Sequence, residues 1–310
     1  STDSIHWSAR TFPAQANNCG SSWADGGFVD DGGDGLWYRV DGQVLAFSTD
    51  SIHWTLRTSG KNSGGFNVGY SNNSRTPQLH YKAPYYFTSQ WSNEVHGSTD
   101  TIHWEQRSCM TGDTVYTTSC AFGHAIIGHS NNGIQTSTDW YHWIKRTTSV
   151  CGDVTNISVA GDYVFAAGAN VCTSGGAPYP VSVHISTDTI HWCCCPTGYT
   201  TCCSSWTYHP TEVTYHQGRY YTAFQKADGS GGCCRPFYIS STDVVHWETE
   251  MDGCAAGQTC TGSYYCGDLH RVISNDDFIL IGTCGHSNSC GWLVKPAKAG
   301  QREWNKFTGE

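Results

Sequence analysis

The sequence predicts an all-β protein, a β-propeller of four-stranded antiparallel blades stapled by disulfides. Three observations predict it. STDSIHW at 1–7 returns as STDSIHW at 48–54, STDTIHW at 98–104, STDWYHW at 137–143, STDTIHW at 186–192 and STDVVHW at 241–247. Successive copies start 47, 50, 39, 49 and 55 residues apart, the length of one propeller blade. Between copies, short alternating runs rich in β-branched and aromatic residues are broken by Gly, Asn and Asp, with no 3.6-residue apolar period.

The repeats divide a single domain, 1–310, near 1–10, 11–57, 58–107, 108–146, 147–195, 196–250 and 251–310. "VTNISVAGDYVFAAGANV" followed by "YPVSVHISTDTIHW" reads as strand, Gly-Asp turn, strand, loop, strand, STD turn, strand. "TEVTYHQGRYYTAFQKAD" and "LHRVISNDDFILIGTCG" follow the same order. A degenerate copy closes the chain, with Trp304 where the motif Trp should stand. Seven segments read as fourth strands, against six full sets of the first three. Six blades with an added N-terminal strand are favoured. Seven blades, the first completed by missing upstream sequence or another chain, are the alternative. An unpaired strand edge is a template for association, so residues 1–10 are a candidate joint for self-association.

Within the motif, Ser and Asp side chains accept backbone N–H bonds and hold a tight turn. The Trp then enters the next strand as an apolar plug. Alternation puts Ile5 and Trp7 on one face and Thr2, Ser4 and His6 on the other. The segment resembles the Asp-box, the S-x-D-x-G-x-x-W turn of sialidase-like and BNR-repeat propellers. That resemblance implies a structural turn between third and fourth strands, held here by Asp3 and Trp7, Asp50 and Trp54, Asp100 and Trp104, Asp139 and Trp143, Asp188 and Trp192, and Asp243 and Trp247. The motif departs from the family by lacking its Gly and by bringing the Trp one residue early. His6, His53, His103, His142, His191 and His246 are equivalent by repeat and too far apart to share one metal. They are expected to be half-exposed and bonded to a neighbouring blade. Arg10, Arg57, Arg107 and Arg146, three residues after the Trp, read as a repeated edge contact.

Composition excludes several functions. With 26 acidic against 17 basic residues the formal charge is −9, which opposes binding to nucleic acid or an anionic membrane. No apolar run approaches the roughly 20 residues of a membrane span. Seventeen Cys without paired CxxC spacing point to disulfides and an oxidising, extracellular compartment. Asn72 and Asn156 head N-x-S sequons that fit a secreted glycoprotein. The chain begins at Ser without a leader and is expected to be a mature or trimmed form. Cys151 with Cys172 and Cys284 with Cys290 are the favoured pairs. The clusters "CCCPTGYTTCC" and "GGCCRP" leave their partners open, and the odd total leaves one Cys for another chain. Most Cys, among them Cys193, Cys194 and Cys195, fall in or beside inter-blade links and strand two–three loops, opposite the STD turns. Cys120 falls on the other side. No metal and no cofactor are expected.

Trp23, Trp91, Trp206 and Trp292 stand outside the motif copies and are candidates to stack on sugar rings. The acidic run 25–35 lacks EF-hand spacing and reads as turn chemistry. Sialidase-like catalysis needs an arginine cluster, a Tyr/Glu nucleophile pair and an acid/base Asp. The nearest candidates are Glu212, Asp268, His270, Arg271 and Arg235, with His209 nearby, Glu212 and Asp268 being the carboxylate pair. The bland reading makes them channel-lining residues of a structural ring, and it is preferred because fold alone confers no activity. The sequence thus reads as a secreted propeller for binding or assembly. Its expected partner is a glycan or an extracellular protein. A glycoside hydrolase or lyase, and a structural subunit of an extracellular filament or coat, are the rivals.

Overall fold

The computed structural model describes residues 27–30, 37–41, 44–50, 53, 55–56, 79–82, 84–89, 94–100, 103–109, 115–129, 133–146, 153–169, 179–201, 212–227, 234–252, 268–274, 279–284, 290–294 and 305–308. Among them are 24 strands in six successive groups of four. The first group is β1 (Gly27–Asp30), β2 (Trp37–Asp41), β3 (Val44–Ser48) and β4 (Thr55–Leu56). The second is β5 (Leu79–Lys82), β6 (Tyr85–Ser89), β7 (Glu94–Ser98) and β8 (Glu105–Cys109). The third is β9 (Val115–Ala121), β10 (His124–His129), β11 (Gly133–Ser137) and β12 (Ile144–Lys145). The fourth is β13 (Asp153–Ala160), β14 (Tyr163–Ala169), β15 (Tyr179–Ser186) and β16 (Cys193–Thr201). The fifth is β17 (Thr214–His216), β18 (Arg219–Ala227), β19 (Cys234–Ser241) and β20 (Glu248–Asp252). The sixth is β21 (Asp268–Ser274), β22 (Ile279–Cys284), β23 (Cys290–Val294) and β24 (Asn305–Thr308). Each group pairs in chain order, and one bridge, Thr201↔Lys226, joins the fourth and fifth.

Tight hairpins make this order possible. Phe122 and Gly123 both have positive φ between β9 and β10, and Gln217 and Gly218 do so between β17 and β18. That is the type I′ geometry whose twist matches the flanking strands. Gly161 (φ +56) fills the first corner between β13 and β14. In β11, Gly133 answers a different need: a Cβ there would lie 1.6 Å from the ring of His129, which is wholly buried.

The chain divides into two compact units. One holds residues 1–120 and 137–143, the other 121–136 and 144–310. In the first, Phe87 of β6 is fully buried against Trp140, with ring centroids 3.8 Å apart. In the second, two apolar clusters form where neighbouring groups face each other. Ile126 and Ile134 pack on Val154, Ile157, Val164 and Ala166. Phe165, Val183, Phe224, Phe237, Val244 and Trp247 belong to the larger one. Alternation along β15 sends Val181, Val183 and Ile185 into that larger cluster, so His184 faces the other way.

In the third, fourth and fifth groups the motif Ser ends the third strand, the residues from Thr to His form a turn, and the fourth strand begins only after the Trp. In all five described copies the Ser hydroxyl donates to Asp Oδ1 at 3.0–3.1 Å. The same oxygen accepts the N–H of the motif His at 2.7–2.8 Å. At Tyr141, Ile190 and Val245 it also accepts the fifth residue's N–H. One carboxylate thereby satisfies backbone donors that no strand partner reaches. This turn corrects the strand-like alternation expected from sequence. Tyr141, Ile190 and Val245 are exposed, whereas the motif Ser and the fourth residue are buried.

The fourth residue is the part that sequence reasoning missed. Trp140, Thr189 and Val244 sit at φ +69, +64 and +61, unusual for bulky and β-branched side chains. The left-handed corner drives each one inward, towards the preceding blade. Trp140 stacks on Phe87, Thr189 Oγ1 lies 2.9 Å from Nδ1 of His124, and Val244 joins the cluster around Phe165. Both the strand one–two hairpins and the STD turns therefore share one end of the blades in the second unit.

The residue three places after the Trp also has a defined role. Arg146 donates to Thr136 Oγ1, just before the motif Ser, at 2.7 Å. In the fifth group this place holds Glu250, which accepts the Ser240 hydroxyl. Arg219 compensates by donating to Ser240 and Glu248. The charge is exchanged while the cross-strand link is kept.

Three predictions follow from this packing. Ser186→Ala removes the acceptor of the Asp188 and Thr189 N–H groups, and should lower unfolding stability by about 1–3 kcal/mol in denaturant titrations. Gly133→Ala should cost ~1–3 kcal/mol or more by overpacking, with recovery when His129→Ala is added. Burial pushes His184 down to about 4. Its neutral form is native, so its contribution is full above the unfolded value near 6.5 and falls as pH drops towards 4. The loss should be on the order of 3 kcal/mol, measured by denaturation at pH 7.5 and 4.5 and reduced in His184→Gln.

Candidate functional site

Ser, Asp and His within six residues invite comparison with a hydrolase triad. The geometry excludes it in the described copies. The Ser hydroxyl bonds the Asp, not the His, and it is buried. The His instead sets Nδ1 at 2.6–2.7 Å from Asp Oδ2 at 53, 103, 142, 191 and 246. Its side chain is 84–86% exposed. The His thus bonds its own turn rather than a neighbouring blade, and it is more exposed than the sequence suggested.

The electrostatics agree with a structural pair. Hydrogen bonds from the His side chain, then from backbone N–H groups, hold Asp139, Asp188 and Asp243 well below the ordinary carboxylate range. The carboxylate of Asp243 raises His246 in turn. A lowered carboxylate gives stability that is present above its unfolded value and lost as pH falls. A raised His gives stability that is full below its unfolded value and lost as pH rises past the folded one. With the Asp ionised, Nδ1 is the protonated donor and Nε2 faces outward. Among the described residues no three metal-capable side chains converge.

The residues proposed for chemistry lie on or beside three strands of the fifth and sixth groups. Glu212 is half-buried just before β17, four residues ahead of the strand's end at His216. In β21, His270 is likewise four residues ahead of the end at Ser274. It is also the extra residue of a bulge between Leu269 and Arg271. Asp268 opens β21, two residues earlier, an offset of roughly 7 Å along a strand. Asp268, His270 and Arg271 thus share β21, the first strand of the sixth group, while Glu212 precedes β17, the first strand of the fifth. Arg235 lies in β19, the third strand of the fifth group. Bulges re-aim side chains and recur beside functional sites; β13 carries one too, between Val154 and Asn156.

Other expectations meet the structure unevenly. Trp292 lies in β23, paired with Ile281 and Lys306, while Trp23, Trp91 and Trp206 lie outside the described residues. Asn156 is half-buried in mid-strand β13, unlike the surface loops that suit glycan transfer; Asn72 lies outside the described residues. Cys193, Cys194 and Cys195 stand in β16 itself rather than in a link. Cys193 and Cys195 are free thiols, and Cys120 donates to the Tyr81 carbonyl. Cys284 ends β22 and Cys290 begins β23, while Cys151 and Cys172 lie outside the described residues.

No protein-family model and no curated protein matches the sequence. Solved structures do match. The WD40 β-propeller domain of Doa1 overlays with a TM-score of 0.51 at 11% identity, covering 89% of this chain and 79% of that one. The tricorn protease overlays with a TM-score of 0.50 at 11% identity, over 90% of this chain and 30% of that one. The chain thus spans less than a third of that protease. An α-L-arabinanase of Penicillium chrysogenum, solved with arabinobiose, gives 0.45 at 12% identity over 83% and 87%, an overlap too loose to bear on activity. Four-stranded antiparallel sheets and these overlays make the chain an all-β propeller.

Proposed function

We propose that this chain is an extracellular binding or assembly module whose repeated turns are scaffold, with a carbohydrate as the first ligand to test. One observation carries the reading. In every described copy of the motif the Asp bonds both the Ser and the His and accepts backbone N–H groups, so the most conspicuous polar constellation is engaged in holding turns. Seventeen cysteines and a net charge of −9 support the extracellular, non-nucleic-acid part of the reading.

A glycoside hydrolase is the second reading, with Glu212 just before β17 and His270 and Arg271 in β21 as its candidate residues. In such an enzyme a carboxylate would move the proton and an Arg would hold an anionic substrate.

A glycan array run beside a panel of chromogenic glycosides separates the two. Saturable glycan binding without turnover is expected, unchanged in Asp188→Ala once its lower thermal stability is allowed for. Turnover abolished in Glu212→Gln with binding retained would establish the enzyme instead. Peptide mapping without reduction should find most of the 17 Cys paired, Cys284 with Cys290 among them. Sixteen or more free thiols would sink the extracellular assignment.

A further inference from the structure

Three tyrosines gather at the hairpin end of the fourth and fifth groups, within the second unit. Tyr215 of β17 and Tyr220 of β18 are directly opposite in register, with ring centroids 4.9 Å apart and planes at 49°. Tyr163, the first residue of β14, meets Tyr220 edge-on at 5.7 Å and 76°. Tyr220 is nearly buried, Tyr163 half-buried, and Tyr215 is 44% exposed. The rings stand at differing tilts where the core around Phe165 and Tyr220 reaches the surface, and Tyr215 is the most exposed of the three.

The hairpin before Tyr163 completes the corner. Gly161 brings its backbone so near Tyr220 that a Cβ would lie 3.0 Å from the phenol oxygen. Asp162, the next residue, is exposed. Burial first, then Tyr163, Tyr215 and Asp162, disfavour ionisation of Tyr220, so the phenol groups and the carboxylate share one neighbourhood. Strand alternation sends Arg219 to the opposite face, where it pairs with Glu248. The rings offer negative π-faces, the Asp a full negative charge, and the chain as a whole carries −9.

We propose that Tyr163, Tyr215, Tyr220 and Asp162 form a binding site for an organic cation of the alkylammonium class. Aromatic faces attract such a cation through their quadrupoles, and quaternary ammonium groups suit them best because they shed water readily. The carboxylate adds charge, and Tyr215 supplies the exposed wall against which the ligand docks. This site is distinct from the inner-strand residues Glu212, His270 and Arg271 and does not depend on the carbohydrate reading.

Titration of the full chain, followed by tyrosine ring proton shifts in NMR, tests it. Choline and a peptide carrying trimethyllysine serve as probes, distinguishing a small-molecule from a protein source of the cation. The neutral isostere 3,3-dimethyl-1-butanol and a methyl glycoside serve as comparators. Saturable shifts with either cation are expected, weakened at least fivefold by Tyr215→Leu and by Asp162→Asn. Both positions are on the surface, and thermal melting confirms that each variant is folded. Equal binding of the neutral isostere, a response only to the glycoside, or no saturable response to either cation would overturn the proposal, and none of these requires a variant.

Discussion

Every described copy of the STD turn hangs on one carboxylate. The Asp of the STD turn accepts the Ser hydroxyl and the N–H groups at the far side of the corner, and its second oxygen takes the His Nδ1. These backbone donors fall between two strands, where no ladder partner exists. Without the carboxylate the corner would expose its amides and the third and fourth strands would lose their register. The His is a second brace on the same group. It keeps the Asp ionised and oriented at the surface, where a lone carboxylate would be free to turn towards water.

That carboxylate also makes the strained fourth residue tolerable. A left-handed Thr or Val costs on the order of 1–3 kcal/mol, and the bonds on either side over-determine the corner. In return, a side chain is driven into the interface with the preceding blade, where Trp140 meets Phe87 and Thr189 meets His124. Local hydrogen bonding and packing between blades are therefore one arrangement.

The sequence disclosed the strands because period and alternation are averages over many residues, and the blade-length repeat survives variation between copies. It did not disclose which way the motif faces. Reading Ile190 and Trp192 as neighbours on a strand face assumes extended backbone, and the residues from Thr187 to His191 are a turn. The role of Thr189 was hidden for the same reason, since nothing in S-T-D-x marks x as left-handed when x is not Gly. The place of His270 depends on a bulge, which has no sequence signature here. The tyrosine corner joins Tyr163 to Tyr215 and Tyr220, some fifty residues apart, and only the juxtaposition of two blades reveals it.

The fourth motif residue has a consequence for how such a chain can evolve. The rest of the turn is nearly invariant, so copies could in principle be shuffled or duplicated like beads on a string. The fourth residue forbids free exchange, because each is matched to what the blade before it presents: an indole to a phenyl ring, a hydroxyl to an imidazole, a small aliphatic group to an apolar cluster. A transplanted blade would bring the wrong key to its new neighbour. The repeats are therefore serially addressed. Growth or loss of one should be accompanied by a change at this single position on the following blade.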